Sequence, residues 1–79
     1  MAQQGETLDL RGLKCPLPAL FARRALEKAK PGSALTVLTD DAMAPIDVPH
    51  MCRREGYEVL SLAKDGATAR LVLRRPAAP

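Results

Sequence analysis

Aromatic residues are almost missing from this sequence: among 79 residues there is one phenylalanine, one tyrosine and no tryptophan. Aliphatic side chains and alanine must therefore fill the core. A chain this short forms a single domain over residues 1–79, with a thin core, because small domains bury only about 60% of their unfolded surface. So little mass leaves no room for a deep pocket, and we expect no cofactor.

Cysteine and histidine are scarce as well, with Cys15, Cys52 and His50 as the only three. Two cysteines cannot build a disulfide framework, and three scattered residues lack the spacing of a zinc site, so no metal is expected. No apolar run approaches the ~18 residues of a membrane span, and residues 1–9 lack the apolar stretch of a signal peptide. We therefore expect a cytoplasmic protein with reduced thiols and no membrane partner.

A large excess of charge of one sign is also lacking, with a net charge of +3 and a sequence pI of about 9.2. This balance permits docking to an acidic protein surface but does not diagnose it. Single-stranded nucleic acids stack on aromatic rings, and no aromatic residues are interleaved with the basic ones here. The sequence therefore argues against direct nucleic-acid binding. No glycine-rich loop for a nucleotide phosphate is present.

The pattern of apolar residues, turns and prolines predicts the order β-α-β-α-β-β. The predicted elements are a strand over 7–10, a helix from Pro16 to about Ala29, a strand over 34–39, a turn over 40–46, a helix from Asp47 as N-cap to Gly56, and strands over 57–63 and 68–74. Right-handed crossovers place both helices on one face of a mixed four-stranded sheet, which is an α/β two-layer sandwich. The ordered core should span about 6–75.

Cys15 is the residue whose surroundings point to chemistry. It lies at the predicted N-cap of the first helix, followed by Pro16 at the first helical position and Pro18 at the third. The positive end of the helix, together with Lys14 and Arg11, favours a thiolate, which predicts a pKa below the ~8.5 of a free cysteine. A thiolate is the nucleophile in sulfur exchange. A small buried thiol filling a strand-to-helix corner is the equally plausible alternative from the residues alone.

The surrounding motif settles this choice by resemblance. The run from 9 to 18, Asp-Leu-Arg-Gly-Leu-Lys-Cys-Pro-Leu-Pro, resembles the signature of the TusA/SirA-like sulfur-carrier family, whose hallmark is Cys-Pro-x-Pro. The likeness continues in Pro31-Gly32, in Thr39-Asp40-Asp41 and in the segment from Asp47 to Cys52, and covers about 7–74.

The resemblance implies a fold like the C-terminal domain of bacterial initiation factor three. It also implies that Cys15 carries a persulfide, supported by Arg11, Gly12, Lys14, Pro16 and Pro18. A family member of this kind relays sulfur rather than turning over alone. It takes sulfur from a donor such as a cysteine desulfurase or a rhodanese-like protein and passes it to an acceptor protein.

Family resemblance leaves the pathway open. Transfer RNA thiolation and molybdenum-cofactor synthesis are the expected settings. Sulfur trafficking in dissimilatory sulfur oxidation, through the same Cys15, is one alternative. A non-catalytic regulatory or RNA-contacting module is another.

Two further groups of residues are candidates for supporting roles. Asp40 and Asp41 end the second strand, and the carboxyl ends of parallel strands meet at one sheet edge, so both should lie near Cys15. They either assist transfer or form a turn and cap a helix. Leu20, Arg23 and Arg24 lie on the polar side of the first helix, where they form a candidate surface for an acidic partner. Cys52 is expected in the core, and the protein is expected to be a monomer.

Overall fold

Four strands and two helices follow one another along residues 6–77, the part of the chain that this computed structural model describes. They are β1 (Glu6–Asp9), α1 (Leu17–Lys28), β2 (Ala34–Thr39), α2 (Ala44–Glu55), β3 (Glu58–Asp65) and β4 (Thr68–Arg74). Residues 1–5 and 78–79, which also fall outside the predicted ordered core of about 6–75, lie outside this description. The order is the predicted one.

The strands form one mixed sheet in the order β1-β2-β4-β3. β1 pairs with β2 in parallel, and β4 pairs antiparallel with both β2 and β3. Because side chains alternate across a strand, β2 and β4 each bury every second residue. These buried residues are Leu35, Val37, Thr39, Ala69, Leu71 and Leu73.

The helices cover this buried face of the sheet. α1 contributes Pro18, Ala22 and Leu26, which recur every fourth residue and so form one row along the helix. α2 contributes Ala44, Val48, Met51 and Cys52. The two-layer α/β sandwich is confirmed. Within the described residues, neither helix is long and apolar enough to cross a membrane.

The prediction that α2 begins at Asp47 is wrong, since the helix begins at Ala44. Pro45 in the first turn is pre-organised for a helix start, and Asp41 accepts a hydrogen bond from the Met43 amide just before it (3.1 Å). Pro49 then lies inside the helix, where it costs only one backbone hydrogen bond near the N-terminus. Gly56 ends the helix as predicted, with a positive φ of 86°.

One prediction about α1 also needs correction. Its N-cap is Pro16, so Cys15 lies one residue before the cap rather than at it. The first residue of the helix, Leu17, is apolar and yet 37% exposed. The reason is that the buried row runs through Pro18, which turns Leu17 outward beside Cys15.

Candidate functional site

Cys15 lies in the loop that leads from β1 into α1, at the edge of the sheet where β1 and β2 end. The loop continues the parallel pairing for one residue, because the Leu10 amide donates to the Leu38 carbonyl (2.8 Å). Leu10 is buried and anchors the loop, whereas Cys15 is exposed. The thiol is therefore held on a fixed support and open to solvent.

Asp40 ties this loop to the end of β2. Its Oδ1 accepts a hydrogen bond from the Gly12 amide (2.9 Å), across 28 residues of sequence. Gly12 has a φ of +90°, a conformation that glycine adopts without a steric penalty. The predicted proximity of the aspartate pair to the cysteine loop is thus found, and the contact that Asp40 makes is structural.

Arg11 does not face the thiol as an activating charge. Its guanidinium donates to both carboxylate oxygens of Asp9, with Nε to Oδ1 at 2.8 Å. This pairing lowers the pKa of Asp9 to about 2. The charge of Arg11, one of the positive contributions expected near Cys15, is therefore neutralised locally. Lys14 is exposed and forms no ion pair with any residue in the described range.

Asp47 is the direct partner of the thiol. The Cys15 Sγ donates a hydrogen bond to Asp47 Oδ2 at 2.8 Å, which joins the α1 loop to the first turns of α2. This hydrogen bond, followed by partial desolvation and the negative charges of Asp47 and Asp41, raises the pKa of Cys15 above its ordinary value. The predicted lowering of the pKa is wrong, because a carboxylate outweighs the helix end and Lys14.

Sequence reasoning missed Asp47 as a site residue and took it as a helix cap. The signal that could have found it is topological. In a right-handed β-α-β-α arrangement both helices begin at the same sheet edge, so acidic residues in the first turns of α2 approach the loop before α1. Starting the helix at Ala44 places Asp47 in its fourth position, where its side chain reaches Cys15.

Asp41 makes two local hydrogen bonds that give it a structural role at the start of α2. Its Oδ2 accepts from the Met43 amide (3.1 Å) and its carbonyl accepts from the Ala44 amide (3.2 Å), so it starts α2. Its charge still acts on the thiol from this position. Asp41 thus has the turn-forming and capping contacts expected for the pair, whereas Asp40 holds the loop before α1.

Cys52 is fully buried in α2, as expected of a core residue. Burial raises its pKa to about 11, so it is protonated at neutral pH. His50 is exposed on the same helix. No group of three or more histidine, cysteine or acidic residues within 6–77 could hold a metal ion.

The three residues of the predicted partner surface on α1 do not lie together in the structure. Leu20 and Arg23 line a shallow groove of about 180 Å³ between the two helices, together with Pro16, Ala19, Met51 and Arg54. Arg23 is half-buried there, with Glu27 at 3.7 Å and Glu55 at 3.8 Å. The expectation that Arg23 points away from the packed side is therefore wrong. Arg24 is exposed and faces a different groove, beside β1.

Three large exposed apolar residues lie close in sequence to Cys15 or to its hydrogen-bond partner Asp47. Leu17 is two residues from Cys15, while Met43 and Ile46 lie within one turn of Asp47. They are 37%, 46% and 61% exposed, respectively. We call these three residues the apolar rim. Large exposed apolar residues grouped at one place are a common feature of protein-binding surfaces.

The fold and site together define a small α/β sandwich that presents one exposed thiol at a sheet edge. The family model described as sulfurtransferase TusA matches residues 6–75, and the chain belongs to that family of sulfur carriers.

Similar proteins agree with this assignment. Proteins provisionally named as sulfur carriers in serogroup A and serogroup B strains of Neisseria meningitidis are each 44% identical over 69 residues, which is 87% of this chain and 93% of theirs. The crystal structure of a SirA-like protein from Desulfitobacterium hafniense superposes with a TM-score of 0.74 at 28% identity, and covers 86% of this chain and 93% of that one. The predicted family resemblance is confirmed.

Proposed function

We propose that Cys15 accepts sulfur as a persulfide from a donor protein and relays it to an acceptor protein. The observation that carries this proposal is the contrast between the two thiols: Cys15 is exposed and held by Asp47, whereas Cys52 is fully buried. Only Cys15 can meet a partner without unfolding the core.

The transfer needs no net oxidant. The Cys15 sulfur attacks the outer sulfur of the donor persulfide, a new S–S bond forms, and the electron pair of the old S–S bond leaves with the donor cysteine as a thiolate. An acceptor thiolate then attacks the outer sulfur on Cys15. That second step releases the Cys15 thiolate, which takes up a proton from solvent and so returns the carrier to its starting thiol.

Asp47 keeps the Cys15 thiol in its protonated form between transfers. In the free protein the thiol donates to Asp47 Oδ2 at 2.8 Å and has a raised pKa, so it rests in the protonated, less reactive form. A positive group on a docked partner would weaken the influence of Asp47 and favour the thiolate. This arrangement limits reaction of the exposed thiol with stray oxidants between transfers.

The apolar rim is the natural contact for either partner, because any protein that reaches Cys15 Sγ must approach across its neighbours. We assign the donor to the class of cysteine desulfurases or rhodanese-like proteins, and the setting to a reducing cytoplasm. The acceptor is a further relay protein in a pathway of the transfer RNA thiolation or molybdenum-cofactor type.

The test is an intact-mass measurement after incubation with a cysteine desulfurase and cysteine. Wild type and Cys52→Ala should gain one sulfur atom that a reductant removes, and Cys15→Ser should gain none. Alanine is the control at position 52 because serine would place a hydroxyl in the core. Loading of Cys15→Ser at the wild-type level would overturn the proposal.

A further inference from the structure

A second and larger groove runs along the opposite side of α1, between that helix and the outer edge of the sheet. Its volume is about 770 Å³. Its floor is apolar and includes Leu8, Leu10, Leu13, Phe21 and Leu35. Leu13 is two residues before Cys15, so one end of the groove lies next to the thiol loop.

The other end of the groove is basic. Arg24, Lys28 and Lys30 line it, with Glu6 as the one acidic lining residue. None of these three cations has an ion-pair partner among residues 6–77. Arg24 and Lys28 are also four residues apart on α1, a spacing at which like charges repel. The arrangement is unfavourable in the isolated chain and becomes favourable when an anion is present.

Comparison with Arg23 shows that the excess of unpaired positive charge is a local property of the groove. On the neighbouring face of the same helix, Arg23 has Glu27 and Glu55 within 4 Å. Among the described residues that line the groove beside β1, Glu6 is the only carboxylate.

The sheet edge that borders this groove is open. β1 pairs only with β2 in the described part of the chain, so its outer backbone groups are unpaired there. Extended peptides commonly add to such an edge as a further strand, with main-chain hydrogen bonds for affinity and side-chain pockets for specificity. An apolar floor, a basic end and a free strand edge thus lie together.

We propose that this groove binds an extended segment of a relay partner protein, apolar where it approaches the thiol loop and acidic at its other end. The proposal rests on the relay function above, and it names a second attachment point outside the apolar rim. A segment seated here would hold the partner beside Cys15 while leaving the thiol itself uncovered for sulfur exchange.

The test titrates the isotopically labelled Cys15→Ser chain with synthetic peptides and follows amide shifts by NMR. Because this variant cannot carry sulfur, binding is measured independently of the relay function. One probe is Glu-Glu-Asp-Val-Leu-Val and a second is its reverse, since the strand could add in either direction. Matched probes carry lysine at each acidic position.

We expect one acidic probe to shift the amides of β1 and of α1 around Arg24 and Lys28. Arg24→Gln with Lys28→Gln should weaken that binding about tenfold. Lys64→Gln with Arg70→Gln makes the same charge change on the β3–β4 side and should leave it unchanged.

Three results would overturn the proposal: no shifts along β1 with either acidic probe, equal binding of the lysine probes, or equal weakening by both double variants. A separate titration with sodium decanoate tests whether the groove binds a small amphipathic anion instead of a peptide. If decanoate shifts the groove amides and neither acidic peptide does, the groove binds a small amphipathic anion and the proposal is wrong.

Discussion

At the scale of single residues, the proposed chemistry depends on the pair formed by Cys15 and Asp47. A helix N-terminus and a neighbouring lysine argue for a thiolate, but a carboxylate at hydrogen-bond distance reverses the direction of the pKa shift. The sequence identified Cys15 because its motif is local. It could not identify Asp47, which is 32 residues away and acts only through the packing of α2.

Replacing Asp47 with Asn should lower the pKa of Cys15. The substitution removes the negative charge and the acceptor that stabilise the protonated thiol, so the alkylation rate should reach its midpoint at a lower pH. The measurement is alkylation rate against pH in the Cys52→Ala background, where only one thiol is present. In that background without the Asp47 change, the midpoint should lie above that of a free cysteine.

Asp65→Asn is the matched control for this change. It removes the same charge at the opposite edge of the sheet, about three strand spacings or ~14 Å from β1. Asp65 is the last residue of β3, outside the two-residue turn formed by Gly66 and Ala67, so asparagine should leave the turn intact. A midpoint that stays in place with Asp47→Asn, or moves equally with Asp65→Asn, contradicts the assignment of Asp47.

At the scale of elements, the loop before α1 depends on a side chain at the end of β2. Asp40→Ala should release the Gly12 amide, because the aspartate Oδ1 is its acceptor at 2.9 Å. Hydrogen exchange at Gly12 should quicken, and sulfur loading of Cys15 should slow. Asp40→Asn keeps an acceptor oxygen and should retain most of the protection. Equal protection of the Gly12 amide in Asp40→Ala and wild type would show that the loop is held by other contacts.

The packing of α1 against α2 makes the two neighbouring arginines unequal. Arg23→Glu would bring a third carboxylate beside Glu27 and Glu55, and should lower the free energy of unfolding by about 1 kcal/mol. Arg24→Glu should cost nothing, because it creates a favourable pair with Lys28 one turn later. Urea unfolding of both variants measures the difference. Equal stabilities would mean that Arg23 is as free as Arg24.

The existence and order of the elements could be predicted because apolar periodicity and turn residues are local. The start of α2 could not, since Pro49 argued for a late start and only Asp41 and Pro45 together favour the early one. The different surroundings of Arg23 and Arg24 also depend on where α2 packs. No single-helix pattern contains that information.

At the scale of the whole molecule, the sheet brings two helix starts to one edge and leaves an apolar rim around one thiol. The two-layer sandwich itself followed from handedness and element order. Which apolar residues stay exposed did not, as Leu17 shows. In the proposed relay, that surface is the one that contacts the partner protein.

Ile46→Ser should slow loading from a cysteine desulfurase about fivefold while leaving loading from inorganic polysulfide unchanged, because only the protein donor needs the rim. Ile46 is 61% exposed, so the fold should tolerate the change. Leu60→Ser is the matched control on β3, where Leu60 is 49% exposed. If Leu60→Ser slows the protein donor equally, or if Ile46→Ser slows both donors, the rim is not the docking surface.

The most direct test of the central claim is to locate the transferred sulfur in the wild-type chain. Trypsin separates the two thiols, because cleavage after Lys14 and Arg23 releases residues 15–23, while Cys52 falls in residues 29–53. After loading by a cysteine desulfurase and blocking with an alkylating agent, mass spectrometry reads the extra sulfur on each peptide. The account predicts one additional sulfur on residues 15–23, lost on reduction or on incubation with an acceptor thiol. Additional sulfur on residues 29–53 alone would contradict it.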